Sequence, residues 1–180
     1  MQFKTLKKVH EGKYIARYDV TYETIDGREK VYEMISRDKN IESFEQFQKS
    51  NVDAVVLIMH DESGEKVLLN REYRMAVGDF VYNFPAGLIE PGESQEAGAR
   101  RELWEETGLD LIRIDDWIYE SYRAVGFSNE KNVCAVGVAA GSFAPSTDTV
   151  EEIEAGWYTK EEVRQLLKKY RFAARTQAYC

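Results

Sequence analysis

Residues 87–109 read GLIEPGESQEAGARRELWEETGL, a glycine-bearing loop that runs into a highly charged segment. Glycines at 87 and 92 make a loop, and Ser94 then stands as a helix N-cap with Glu96 in the first turn. The pattern predicts a helix over 94–106, closed by Gly108 where a left-handed C-cap belongs. Its last two turns hold Glu102, Glu105 and Glu106, spaced so that all three project from one side. Like charges at that spacing weaken an isolated helix, and a bound divalent cation is one reason to keep them. Magnesium-type ions take carboxylate oxygens together with waters and phosphates. A solvated acidic face is the alternative that ELWEE alone allows.

Upstream, Tyr14 to Thr24 alternates and is rich in β-branched and aromatic residues, Asp26-Gly27 supplies a tight turn, and Lys30 to Ser36 resumes the strand pattern. Residues 14–36 therefore read as a hairpin. A polar connector over 40–52 follows, then a buried strand over Asp53 to Met59, a turn at Gly64 and a partner strand over Lys66 to Arg71. Gly78 to Phe84 is a strand stopped by Pro85. Beyond the helix come strands over Leu111–Glu120, Asn132–Ala140 and Ile153–Tyr158. A helix over Lys160–Tyr170 is amphipathic through Val163, Leu166 and Leu167, and Phe172–Cys180 begins another. Strands, helix, strands, helix without βαβ alternation predicts an α+β fold with a mixed sheet. The division expected is an N-terminal hairpin segment, 1–50, and a main domain, 51–180.

The 180 residues are 43% hydrophobic and 31% charged, an ordinary balance for a folded soluble chain. The longest apolar run, Ala54 to Met59, is too short to cross a membrane, and the first twenty residues lack the apolar core of a secretory signal. Two cysteines, Cys134 and Cys180, make no disulfide framework. These features predict a cytoplasmic protein without a membrane partner. A net charge of -8 repels nucleic acid. A chain this acidic that handles phosphates needs local arginines or bound cations.

Gly87, Glu93, Arg101, Glu102, Leu103, Glu105, Glu106, Gly108 and Leu109 fill every fixed position of the Nudix box, G-x5-E-x7-R-E-U-x-E-E-x-G-U, where U is a bulky aliphatic. The chain thus resembles a Nudix hydrolase. The resemblance implies an α/β/α sandwich with a mixed sheet. It implies metal ligation by Glu102, Glu105 and Glu106 with the carbonyl of Ala86, a catalytic part for Glu105 and Glu106, and a Glu93–Arg101 pair that holds the carboxylates. Gly87 and Gly108 match backbone positions at the loop start and helix end. The implied cofactor is magnesium, with manganese as the alternative. The implied reaction is hydrolysis of a nucleoside diphosphate linked to another group.

The resemblance extends to one branch. Residues 14–37 look like the N-terminal strands of ADP-ribose pyrophosphatase-type enzymes, where this sheet helps form a homodimer. Residues 69–74, LNREYR, look like its "QYR" segment, and 84–90, FPAGLIE, like its approach to the box. Arg74 and Arg37 are the matching candidates for substrate contact, each with a surface salt bridge as the alternative. Two positions depart from the pattern: Val125 stands where a proline is usual, ahead of a retained GFSNE, and Asn83 where a glutamate is frequent. In the branch that the chain resembles, a late-loop glutamate contacts the metal or activates water, the general base's part. Glu151 and Glu152 are the candidates, Glu151 favoured, against the plain alternative of an acidic surface loop. The expected substrate is a small nucleotide, ADP-ribose or another nucleoside diphosphate sugar. Competing expectations are pyrophosphohydrolysis of oxidised nucleoside triphosphates and a non-catalytic nucleotide-sugar-binding domain.

Overall fold

The structure, a computed structural model, describes residues 1–48, 51–147 and 150–180. Ser50, at the expected domain boundary, and Asp148 and Thr149, in the loop expected to carry the general base, lie outside the described residues. Two compact units form. One is Met1–Asp53 with Glu120–Asn132, and the other is Ala54–Tyr119 with Val133–Cys180.

The first unit contains an antiparallel sheet of β1 (Gln2–Glu11), β2 (Ala16–Glu23) and β3 (Glu29–Ser36), in that order. The β2–β3 hairpin has the expected register, Ala16 opposite Ser36 through Glu23 opposite Glu29. β1 is an addition. Register shifts between Phe3 and Thr5 and between Lys8 and His10 break its period of two, and Phe3 and Leu6 pack inward on Ala16, Tyr18, Val20, Met34 and Ile41. Tyr18 is fully buried, and its hydroxyl donates to the Asp38 carbonyl at 3.0 Å, so it is a core residue of this sheet. A short helix, α1 (Phe44–Gln48), lies in the polar connector. The 120–132 segment joins this unit through backbone pairing far apart in sequence: Ile35 N–H donates to the Phe127 carbonyl at 2.8 Å.

A seven-stranded sheet is built mostly from residues of the second unit. β4 (Ala54–His60), β5 (Lys66–Arg74), β6 (Asp79–Asn83), β7 (Ala86–Leu88), β8 (Asp110–Tyr122), β9 (Lys131–Ala140) and β10 (Ile153–Thr159) run in the order β10-β5-β4-β9-β8, with β6 beside β5 and β7 beside β4. The helices are α2 (Gln95–Thr107), α3 (Lys160–Lys169) and α4 (Ala174–Tyr179). The α+β class with a mixed sheet is the one expected.

Every residue of β4 from Ala54 to Met59 is buried, and alternate side chains of a strand face opposite ways, so both faces of this strand are covered. Val56 and Ile58 join Leu69, Tyr82, Phe84 and Val163, with Leu166 and Leu167 of α3 against them. That leaves Val55, Leu57 and Met59 for the face on which α2 packs. Leu103, fully buried on α2, contributes about 2 kcal/mol by leaving water. Among the described residues no helix is long and apolar enough to cross a membrane.

Candidate active site

α2 forms where the capping chemistry places it. Ser94 Oγ accepts from Ala97 N–H at 3.1 Å, a cap worth about 1 kcal/mol. At the other end Gly108 takes φ 75° and its N–H donates to the Trp104 carbonyl. A Cβ there would stand 2.6 Å from Ala144 Cβ, so glycine is required by both conformation and space.

The three glutamates of this helix meet different surroundings. Glu106 is 6% exposed and points into the protein, where its Oε2 accepts from Asn70 Nδ2 at 2.7 Å and from Ala86 N–H at 3.3 Å. Ala86 is free to do this because the β4–β7 ladder engages its neighbour: Leu57 N–H donates to the Pro85 carbonyl at 2.8 Å. Glu102 lies under the β7 loop so closely that a Cβ on Gly87 would fall 1.8 Å from its carboxyl carbon. Gly87 is therefore the residue that lets the loop cross this carboxylate. Glu105 is more open to solvent and bonds to Arg101.

Arg101 ties the group together. Its Nε and Nη2 donate to the two oxygens of Glu93 at 3.0 and 2.9 Å. Nη2 also donates to the Leu88 carbonyl at 2.8 Å, and Nη1 donates to Glu102 Oε1 at 2.8 Å and Glu105 Oε2 at 3.0 Å. The Arg101 guanidinium holds the Glu93 carboxyl below its usual range. Glu93 also accepts from Glu90 N–H at 2.9 Å, which closes the loop onto the helix. Through these bonds Glu93 and Arg101 link the loop before α2 to the helix.

Electrostatically the inner site is short of positive charge. Burial, followed by the charges of Glu72, Glu102 and Glu151, pushes the Glu106 carboxyl well above the usual carboxylate range. Burial also raises Glu102, against the opposing pull of Arg101. Buried like charges of this kind are costly unless a cation or a proton offsets them. Among the described residues no three acidic, histidine or cysteine side chains are already converged on one point as a finished metal cage. Arg101 instead spans Glu102 and Glu105, and Asn70 anchors Glu106. The donor set still suits a hard divalent cation: carboxylate oxygens, a nearby strand carbonyl residue, mutual repulsion, and one Glu106 oxygen held while the other is left for a ligand.

The remaining candidates are placed as follows. Glu151 acts electrostatically on both Glu102 and Glu106, whereas Glu152 supplies a backbone carbonyl that accepts from Tyr73 N–H at 3.0 Å. Arg74, at the end of β5, makes a loose 3.5 Å ion pair with Glu72. Arg37 belongs to the first unit and pairs there with Glu130 at 3.4 Å, and Val125 is exposed in that same unit.

Two residues at the site are not singled out in the sequence reading: Asn70 and Glu72. Asn70 and Glu72 are buried on β5, and Asn83 Nδ2 donates to Glu72 Oε1 at 3.0 Å. The signal available was faint: Asn70 and Glu72 fall at strand period in line with buried Leu68, so the face that carries an apolar residue continues with two polar ones.

The model of the NUDIX domain matches residues 50–178. The chain belongs to the NUDIX family. Among the relatives of this NUDIX chain are "Nudix hydrolase 19, chloroplastic" of Arabidopsis thaliana, 35% identical over 130 residues, and "ADP-sugar pyrophosphatase" of Mus musculus, 32% identical over 100 residues. The matches cover 69% and 56% of this chain but only 28% and 44% of those proteins. A solved structure described as that of an ADP compounds hydrolase shares the fold, with a TM-score of 0.76 at 20% identity over 99% of this chain and 88% of that one.

Proposed function

We propose that this NUDIX chain hydrolyses the pyrophosphate linkage of a nucleoside diphosphate derivative, ADP-ribose or a related nucleoside diphosphate sugar, with a divalent cation. The observation that carries the reading is buried Glu106 behind half-buried Glu102, with the Gly87 loop crossing the Glu102 carboxylate and Asn70 and Ala86 N–H holding one oxygen of Glu106. The named activities of the ADP-sugar relative and the ADP compounds hydrolase point to the substrate class.

Glu102, Glu105 and Glu106, with the Ala86 carbonyl, would hold the ion, magnesium by preference and manganese as the alternative. When bound it neutralises pyrophosphate charge and lowers the pKa of water. The chain's own groups do the rest. Asn70 and Ala86 N–H fix one oxygen of Glu106, and Arg101 fixes the spacing of Glu102 and Glu105 from the loop. Arg74 binds a substrate phosphate. Glu151, the favoured general base with Glu152 as its alternate, takes a proton from the attacking water. The water oxygen bonds to one phosphorus, the bridging P–O bond breaks, and the departing phosphate carries away the electron pair. ADP-ribose would give AMP and ribose 5-phosphate.

A homodimer belongs to the same reading. It is supported by an aromatic-rich cavity of about 740 Å³ in the first unit, lined by Tyr22, Tyr32, Phe44, Phe47 and Phe127 among others. A cytoplasmic location is supported by two cysteines that are both free thiols. The experiment is a panel of diphosphate sugars, dinucleotides and triphosphates incubated with magnesium and scored for released phosphates. The proposal predicts the highest kcat/KM for an ADP-linked sugar. A preference for triphosphates would replace it with the sanitation reading.

A further inference from the structure

The hydroxyl of Thr176 is buried at the centre of a polar relay that no sequence motif covers. Thr176 is on α4, and its residue is fully buried. Its Oγ1 accepts from Phe84 N–H at 3.1 Å and donates to Asn83 Oδ1 at 2.8 Å. Asn83 then donates through Nδ2 to Glu72 Oε1 at 3.0 Å, and the other oxygen of Glu72 faces Arg74 Nη1 at 3.5 Å. The chemistry leaves one way to orient this chain of donors. A buried carboxylate at Glu72 takes an N–H, so the Asn83 carbonyl must face Thr176, which must give its hydroxyl proton there and accept from Phe84.

The surroundings hold α4 against this strand. Ala173 N–H donates to the Tyr82 carbonyl and Tyr82 N–H to the Arg171 carbonyl, both at 2.9 Å. Phe172 stacks on Tyr82, and Tyr179 meets Phe84 edge to face. β5 and β6 are in register with Asn70 opposite Asn83 and Glu72 opposite Val81, so Glu72 and Asn83 share one face diagonally. Glu72 itself is 7% exposed, while Arg74 is partly open. A buried carboxylate held from behind by an amide and paired loosely in front to an accessible guanidinium is suited to aiming that guanidinium.

We propose that Thr176 is a positioning residue: through Asn83 it fixes the Glu72 carboxylate, and Glu72 sets the direction in which Arg74 meets a substrate phosphate. The inference rests on the reading of Arg74 as a phosphate ligand. It makes the C-terminal helix part of the substrate site rather than a cover for the sheet. Valine at 176 keeps the shape of threonine and removes both the donor and the acceptor, whereas serine keeps both.

The test is calorimetric affinity for ADP-ribose on the metal-free 180-residue chain, for wild type, Thr176→Val, Thr176→Ser, Arg74→Ala and the Thr176→Val/Arg74→Ala double variant. Thr176→Val is expected to weaken binding about five- to tenfold, and Thr176→Ser to bind within about twofold of wild type. In the Arg74→Ala background Thr176→Val should change nothing further, because the residue acts through the arginine. Wild-type affinity in Thr176→Val, or the same loss with and without Arg74, overturns the relay. If Thr176→Val fails to fold, Asn83→Ala with and without Arg74→Ala poses the same question. A wild-type protein that binds ADP-ribose but releases no phosphates with magnesium refutes the hydrolase reading and leaves the relay standing. A wild-type protein that does not bind it overturns the relay.

Discussion

Arg101 and Glu93 face each other through two parallel hydrogen bonds, Nε to Oε1 at 3.0 Å and Nη2 to Oε2 at 2.9 Å. The planar fork leaves Nη1 for Glu102 and Glu105, so one side chain sets the loop and two carboxylates of α2 at once. A lysine offers a point charge and no fork. Arg101→Lys should therefore lower kcat/KM by about 10–100-fold, with a weaker apparent affinity for magnesium. Steady-state kinetics across a magnesium titration check this, and unchanged kinetics would remove Arg101 from the site's support.

Gly87→Ala separates site geometry from stability. The added Cβ meets the carboxyl end of Glu102, a flexible terminus that can swing away, so the fold survives while the carboxylate is displaced. Activity should drop by about 10–100-fold. The thermal midpoint, measured by circular dichroism, should move by only a few degrees. A normal magnesium dependence in this variant would contradict the close crossing of loop and helix.

Gly108→Ala predicts the reverse balance. Its left-handed backbone and the 2.6 Å approach to Ala144 Cβ both oppose a side chain. The expected cost is about 2 kcal/mol or more, a drop of roughly 4–8 °C in thermal midpoint.

The raised Glu106 carboxyl makes a signed prediction for the metal-free protein. The folded state holds this proton to higher pH than the unfolded state, whose carboxyl titrates near 4.5. Above that pH the folded form binds more protons, so the stability contributed by Glu106 falls as pH rises towards its elevated folded value. Glu106→Gln lacks that ionisation. Urea unfolding in the presence of a chelator should show the difference in stability, variant minus wild type, growing from pH 4.5 upward. A difference that is flat with pH would rule out the elevation.

Much of this architecture is readable from the sequence because it is local. Ser94, Gly108 and the glutamates between them specify α2 and its charged face within about four turns, and Asp26-Gly27 specifies the β2–β3 hairpin. What the sequence leaves hidden depends on chain segments meeting across long separations. Asn70 reaches Glu106, and Thr176 reaches Asn83, through contacts that no local periodicity encodes. β1 is masked for a different reason, since two register shifts space its partly buried residues Phe3, Leu6 and Val9 three apart instead of two. Asn83 is instructive: alone it is a departure from a motif, but beside Glu72 and Thr176 it is the amide that a buried carboxylate requires.

The central claim is that Glu106 belongs to a hydrolytic site for a nucleoside diphosphate sugar. Its most direct test is AMP and ribose 5-phosphate release from ADP-ribose with magnesium, wild type against Glu106→Gln, both checked for folding by circular dichroism. The account predicts turnover by wild type and a loss of at least about 100-fold in the folded variant. Equal turnover by the two proteins would contradict it.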